Sequence, residues 1–229
     1  LDSDGKPEFR FYRDRAADIS LRKDELKDLS PEDFSLFHFG SIALLDEPSA
    51  STYIDLFERF KKAGVRTSFD PNVRKNAVVD HDTFRRKLRE IMRRVDILKL
   101  SDEDLEYIAG KGDVEKAVES LEVGRDELVL VTLGSKGARA FWRGRFIGEE
   151  GFKVEVAETT GCGDSFMAAV ISRLYSLSDE RFKALDFETL GGILRFANAG
   201  AAIVATRYGA ANAMPSGSEI GEFLQSHRR

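Results

Sequence analysis

What this 229-residue chain lacks narrows its chemistry first. It has one cysteine, Cys162, so no internal disulfide can form, as suits a reducing cytoplasm. It has three histidines. His81 and His227 stand in polar stretches and His38 ends a strand-like run, so no His/Cys cluster suggests zinc. No apolar run reaches the roughly 18 residues of a membrane span. The start, Leu1 to Arg15, is polar and charged, unlike a leader. Basic residues (35) do not outnumber acidic ones (40), and the net charge is −5. That balance offers no footing for nucleic acid or an anionic membrane. A bound polyanion would need local donors. No Gly-x-x-x-x-Gly-Lys-Ser/Thr occurs, which excludes a P-loop, and no Gly-x-Gly-x-x-Gly supports a nicotinamide cofactor. There is no initiator Met, and the expectation is that residues precede Leu1.

What is present reads as a soluble α/β protein, 42% hydrophobic and 33% charged. Residues 8–13 alternate like a short strand, with Phe9 and Phe11 on one face. Strands are expected near 36–39, 65–69, 96–100 and 128–133, with helices near 49–63, 83–94, after Ser101 and near 113–121 between them. Ser49 and Ser101 are read as helix caps. Two or three short strands follow between 138 and 156, then helices near 164–177 and 188–206. Strands alternating with helices imply βαβ units and a parallel sheet. In such sheets ligands sit beyond the carboxyl ends of the strands. The loops there are Gly40-Ser41, Asp70 to Arg74, Ser101 to Asp104, and Gly134 to Gly137, and all are expected at one rim.

Thr159-Thr160-Gly161-Cys162-Gly163-Asp164 lies between a strand and a helix. Glycines there permit close backbone approach, and the first helical N–H groups with the helix dipole form an anion site. A carboxylate in such a site repels phosphate, but it is useful if it takes a proton from an attacking hydroxyl. Spacing alone leaves two readings of Asp164 open, a catalytic base or a charge that complements the helix N-terminus.

Residues 158–164, Glu-Thr-Thr-Gly-Cys-Gly-Asp, resemble the Asp-Thr-Thr-Gly-Ala-Gly-Asp signature of the ribokinase-like (PfkB-type) carbohydrate kinases. Val131 to Gly137, Phe69 to Arg74, Phe196 to Ala199 and Arg207 to Ala210 resemble further family motifs, in the correct order. Phe11-Tyr12-Arg13 and His38-Phe39-Gly40-Ser41 look most like fructokinases. The resemblance implies a doubly wound, mainly parallel ribokinase-like sheet flanked by helices. Residues 1–20 would be the remnant of a small β lid, and 21–229 the nucleotide-binding and catalytic core. It implies Asp164 as base and the N–H groups of Gly161, Cys162 and Gly163 as anion hole. Phe11, Arg13 and Arg74 would contact the sugar, and Ser101, Thr132, Gly134, Gly137 and Asn198 the nucleotide. ATP is the implied co-substrate, with Mg2+ held through water by Asp104, K+ near Glu158, and a homodimer through lid strands.

Three departures stand out. Glu158 replaces the family Asp, which puts potassium dependence in question. Ser101 to Asp104 replaces Asn-x-x-Glu, so Asp104 reads equally as a capping-box partner of Ser101. Cys162 replaces Ala, as a small packing residue or as a thiol activated by the helix N-terminus; its modification is expected to block activity. Phosphorylation of a primary hydroxyl of fructose is the expected reaction. The alternatives are 2-keto-3-deoxygluconate or ribose as acceptor, and a non-catalytic regulator with the kinase fold.

Overall fold

Apolar spacing and polar caps set the elements. The structure is a computed structural model that describes residues 12–227. Phe11 and most of the strand expected at 8–13 lie outside the described residues; Tyr12 and Arg13 belong to no strand. The six strands among the described residues are β1 (Leu36–Gly40), β2 (Arg66–Asp70), β3 (Ile97–Ser101), β4 (Leu128–Thr132), β5 (Ala138–Trp142) and β6 (Arg145–Glu149). They form one sheet in chain order. β1 and β2 pair in parallel, and β4, β5 and β6 pair antiparallel. Helices connect the earlier strands: α1 (Ser49–Lys62), α2 (His81–Met92), α3 (Asp102–Ala109) and α4 (Val114–Glu119). After β6 come α5 (Cys162–Leu174), α6 (Asp179–Lys183), α7 (Phe187–Ala205) and α8 (Gly217–Ser226). This is the expected α/β class with a mostly parallel sheet.

By its internal contacts the chain divides into two compact units between Ile97 and Leu98. In the first, α1 buries Leu56, Phe57 and Phe60. Phe60 stacks on Phe37 with ring centres 4.5 Å apart, and Phe39 meets Phe57 at 5.3 Å and Phe69 at 4.9 Å. Such pairs add to the burial energy of large rings. Ser49 does not cap α1: Pro48 holds the cap position, and the Ser49 hydroxyl accepts from the Leu21 N–H at 3.0 Å. The local signal was a serine before an apolar stripe, but the hydroxyl is used by a segment 28 residues away. Asp80 caps α2 by accepting from the Thr83 N–H. Asp96 accepts from the Thr67 N–H at 2.7 Å, the Thr67 hydroxyl at 2.9 Å and Lys61 at 3.0 Å, tying β2 to the start of β3.

In the second unit β4 is buried along Leu128 to Val131, as its unbroken apolar run implies. Ser101 does cap α3, and Asp104 reaches back to it in a capping box. Ser101→Ala is therefore expected to lower folding stability by about 1 kcal/mol, read as a shift in the denaturant midpoint. Trp142 is buried and donates to the Leu185 carbonyl at 3.2 Å. α7 buries small residues, among them Ala197, Ala199 and Gly200, and the Gly200 backbone approaches the Ser165 hydroxyl in α5.

Candidate active site

Gly161 is the N-cap of α5 and has a left-handed backbone, with φ of 84°. A Cβ there would lie 3.0 Å from Met214 Cε and 3.5 Å from Ala210 Cα, so the turn is backed closely by the 206–214 loop. That loop is tied down at several points. Glu158 Oε2 accepts from the Gly209 N–H at 3.0 Å. Arg207 donates to the Ala213 carbonyl at 3.2 Å and pairs with Glu219 at 2.7 Å. The Ser216 N–H and Arg207 together pull the Glu219 carboxyl down to about 2. Glu158 is lowered by its bond from Gly209, helped by Thr160.

Cys162, Gly163 and Asp164 are the first three residues of α5. Acids at the third helical position occur at three helices, and they behave differently. Asp104 in α3 and Glu219 in α8 both fold back onto a serine N-cap. Asp164 has Gly161 before it, no side-chain cap forms, and its side chain is exposed. Among the described residues it makes no hydrogen bond or ion pair. A free carboxylate there suits a charge that complements the helix N-terminus and equally a group that takes a proton from a ligand.

Burial raises the Cys162 thiol, and the negative Asp164 and Glu158 raise it further, against a smaller lowering from a backbone hydrogen bond. Burial is the largest of these causes, so the thiol is not lowered as an activated one would be. Its sulfur behaves as a small, partly buried packing group.

The implied nucleotide residues lie around a second tight turn. Gly134 and Gly137 bound a 3₁₀ turn after β4, with φ of 57° and 96°. A Cβ on Gly137 would sit 2.0 Å from the Glu149 carbonyl oxygen and 2.5 Å from the Gly151 nitrogen. Asn198 in α7 pins that backing segment, donating to the carbonyls of Glu149 at 3.1 Å and Glu150 at 3.3 Å. The side-chain amide is thus used behind the turn, and Asn198 is 7% exposed. Thr132 closes β4 and its hydroxyl donates to the Leu100 carbonyl at 3.4 Å. Asp104 is 4% exposed, and its Oδ2 accepts from the Ser101 N–H and hydroxyl at 2.9 and 2.7 Å. Among the described residues no group of three His, Cys, Asp or Glu side chains could hold a metal ion.

The implied sugar-side residues belong to the first unit. Arg13 is 13% exposed at its side chain. It pairs with Asp46, donates to Asp18 at 2.9 Å and reaches the Ile42 carbonyl at 3.2 Å. Its charge is matched within the chain, and it fixes the segment before α1. Arg74 begins a short 3₁₀ turn, and its carbonyl accepts from Ala77 at 2.8 Å. Just before it, Asn72 takes a left-handed φ of 38°, and its N–H bonds the Asp70 carboxylate at 3.1 Å. Gly40 lies against Asp70 so closely that a Cβ would stand 1.8 Å from the Asp70 carbonyl oxygen. Lys99 was missed from sequence: it is 3% exposed on β3, with its Nζ 3.3 Å from where a Gly163 Cβ would stand.

A Gly-rich turn at a helix N-terminus, a free carboxylate and a second glycine turn are compatible with a phosphotransferase-type site. The pfkB family carbohydrate kinase profile matches residues 1–217, and the chain belongs to that family. More particularly, it is similar to fructokinases. It is 37% identical over 226 residues to probable fructokinase-2 of Arabidopsis thaliana, covering 98% of this chain and 68% of that one. The structure of fructokinase with bound ATP from Xylella fastidiosa superposes with a TM-score of 0.87 at 30% identity, over 99% of this chain and 72% of that one. Fructokinase from Vibrio cholerae O395, in its fructose, ADP and calcium ion bound form, gives 0.75 at 28% identity, over 86% and 64%. The chain thus spans about two thirds of the length of these relatives.

Proposed function

We propose that this protein is an ATP-dependent kinase that phosphorylates a primary hydroxyl of a ketose, fructose. The observation that carries the reading is the unengaged Asp164 carboxylate at the start of α5, where the other third-position acids are tied to their caps. Asp164 takes the hydroxyl proton of the sugar. The sugar oxygen forms its bond to the γ-phosphorus as the bond to the β-phosphate oxygen breaks, and ADP leaves with that electron pair. The N–H groups of Gly161, Cys162 and Gly163 carry the charge that gathers on the phosphoryl oxygens. Gly134, Gly137, Thr132 and Ser101 shape the nucleotide side, with Asn198 as support from behind. Phe11, Arg13 and Arg74 belong to the sugar side. On this reading residues 1–20, of which 1–11 lie outside the described residues, belong to a lid and 21–229 to the core, and the lid pairs two copies.

Magnesium fits this donor set as an ion held mainly by nucleotide phosphates and water, with Asp104 contributing at a distance, since magnesium keeps several of its waters. When bound it neutralises charge on the β- and γ-phosphates. Glu158 is committed to Gly209 and Thr160, so no step is assigned to potassium. Among the described residues no helix is long and apolar enough to cross a membrane, and a cytoplasmic location accompanies the reading.

A sugar panel tests it. ATP consumption by the protein is measured with fructose, 2-keto-3-deoxygluconate, ribose and a nucleoside. The expected result is the highest kcat/KM with fructose. Faster turnover of another acceptor moves the substrate assignment but keeps the chemistry. Nucleotide binding without turnover of any acceptor points to a regulator with the kinase fold.

A further inference from the structure

Two segments meet behind the Gly-rich turn, and one side chain joins them. The first is the approach to the turn. The Ala157 N–H donates to the Ala205 carbonyl at 2.8 Å and the Glu158 N–H to the same oxygen at 3.3 Å, so residues 157 and 158 are fixed to the end of α7. The second is the 206–214 loop, which leaves α7 at that point. Residues 208–212 of the loop are all exposed, so apolar burial does little to hold them. Yet the loop backs the turn closely, with Ala210 Cα and Met214 Cε 3.5 and 3.0 Å from where a Gly161 side chain would begin. Polar ties fix it instead. Arg207 holds its base through the Ala213 carbonyl and Glu219. At its tip, Glu158 Oε2 accepts from the Gly209 N–H at 3.0 Å. The Thr160 side chain acts on the same carboxylate, and Thr160 immediately precedes Gly161. Glu158 therefore reaches from the loop to the turn itself.

The family signature carries Asp at this position, with potassium implied beside it. A potassium ion there would draw on the carboxylate oxygens. Here the longer glutamate stem sets them against an N–H of the loop, and the negative charge is met by hydrogen-bond donors. The residues present do not fit the ion in that role, because the side chain itself makes the link between turn and loop. We propose that Glu158 is a positioning residue for phosphoryl transfer: its carboxylate latches the 206–214 loop against the turn at Gly161, and turnover does not depend on a monovalent cation. Glu158 acts through the loop and touches no reactant. This rests on the reading of the 161–163 turn as the phosphoryl site. The latch is a surface hydrogen bond of small worth to folding. Its effect is on placement, where a shift of about 1 Å costs roughly 10²-fold in rate.

The test uses the full protein with ATP and fructose, in potassium chloride and in tetramethylammonium chloride at equal ionic strength. Turnover, KM and melting temperature are measured for the unsubstituted protein, Glu158→Ala, Glu158→Gln and Asp164→Asn. The unsubstituted protein is expected to have the same kcat in both salts, within about twofold. Glu158→Ala should lose roughly 10²-fold in kcat, with fructose KM and melting temperature little changed, a split that lost stability alone would not give. Glu158→Gln keeps the reach and an acceptor oxygen without the charge, and should lose less than about tenfold. A rise of about tenfold or more in the unsubstituted kcat on adding potassium overturns the inference. So does Glu158→Ala within about threefold of the unsubstituted kcat, or Glu158→Gln as slow as Glu158→Ala. If Asp164→Asn is inactive while Glu158→Ala is fully active, the latch falls and the phosphoryl site stands. Full turnover in Asp164→Asn removes the reading beneath both.

Discussion

Asp164→Asn is expected to lower kcat by roughly 10²- to 10⁴-fold, the usual worth of a general base, while ATP still binds. The amide keeps the size and shape of the carboxylate but cannot take a proton. The fold should not notice the change, because among the described residues the carboxylate has no hydrogen bond to lose and is exposed. Removing one negative charge beside the phosphate site should leave nucleotide affinity equal or tighter. Asp104→Asn should, unlike Asp164→Asn, also lower stability in the same assays. It disturbs a buried carboxylate that accepts two hydrogen bonds from Ser101, so its loss falls on stability.

Gly137→Ala is expected to cost roughly 3 kcal/mol or more of stability, at the upper end for a single substitution. A methyl at φ of 96° would stand 2.0 Å from the Glu149 carbonyl oxygen and 2.6 Å from the Glu150 carbonyl carbon, both backbone atoms. Neither can step aside as a flexible side chain would. The turn after β4 must open, and the 149–151 segment that Asn198 pins must move with it. ATP affinity should fall by about tenfold or more, 1.4 kcal/mol for each decade. Gly134→Ala is the control. Its φ is also left-handed, at 57°, but nothing lies within 4 Å of the added methyl, so its cost is backbone strain of roughly 1–2 kcal/mol. Equal losses at the two positions, by chemical denaturation and nucleotide titration, would show that close packing behind Gly137 does not matter.

The elements legible in the sequence were those whose signal is local. β4 declares itself as a run of apolar residues, α2 by the periodic Phe84, Leu88 and Ile91, and α3 by Ser101 with Asp104 three residues on. α6 and α8 were missed. α6 has five residues, too few to show a period, and α8 buries little beyond Ile220. At the site the Gly-rich turn was plain, because glycine, helix start and acid are adjacent in the chain. The partners of that turn were hidden, because they come from afar. Glu158 meets Gly209 across 51 residues, and nothing near either residue announces it. Asn198 was assigned to the nucleotide by resemblance, and its bonds to carbonyls 48 and 49 residues away appear only in the fold. Lys99 looks like one charge in a strand, and its burial beside Gly163 appears only in the fold. Arg13, assigned to the sugar by resemblance, also pairs with Asp18 and Asp46, which its local sequence does not announce.

The central claim is that Asp164 activates a sugar hydroxyl for attack on ATP. It is tested most directly by adding fructose to ATP-loaded protein, unsubstituted and Asp164→Asn, and following ADP release, with ATP affinity measured on the same preparations. The account predicts fructose-dependent ADP release from the unsubstituted protein, its near-complete loss in Asp164→Asn, and ATP binding retained in both. ADP release from Asp164→Asn at the unsubstituted rate would contradict it.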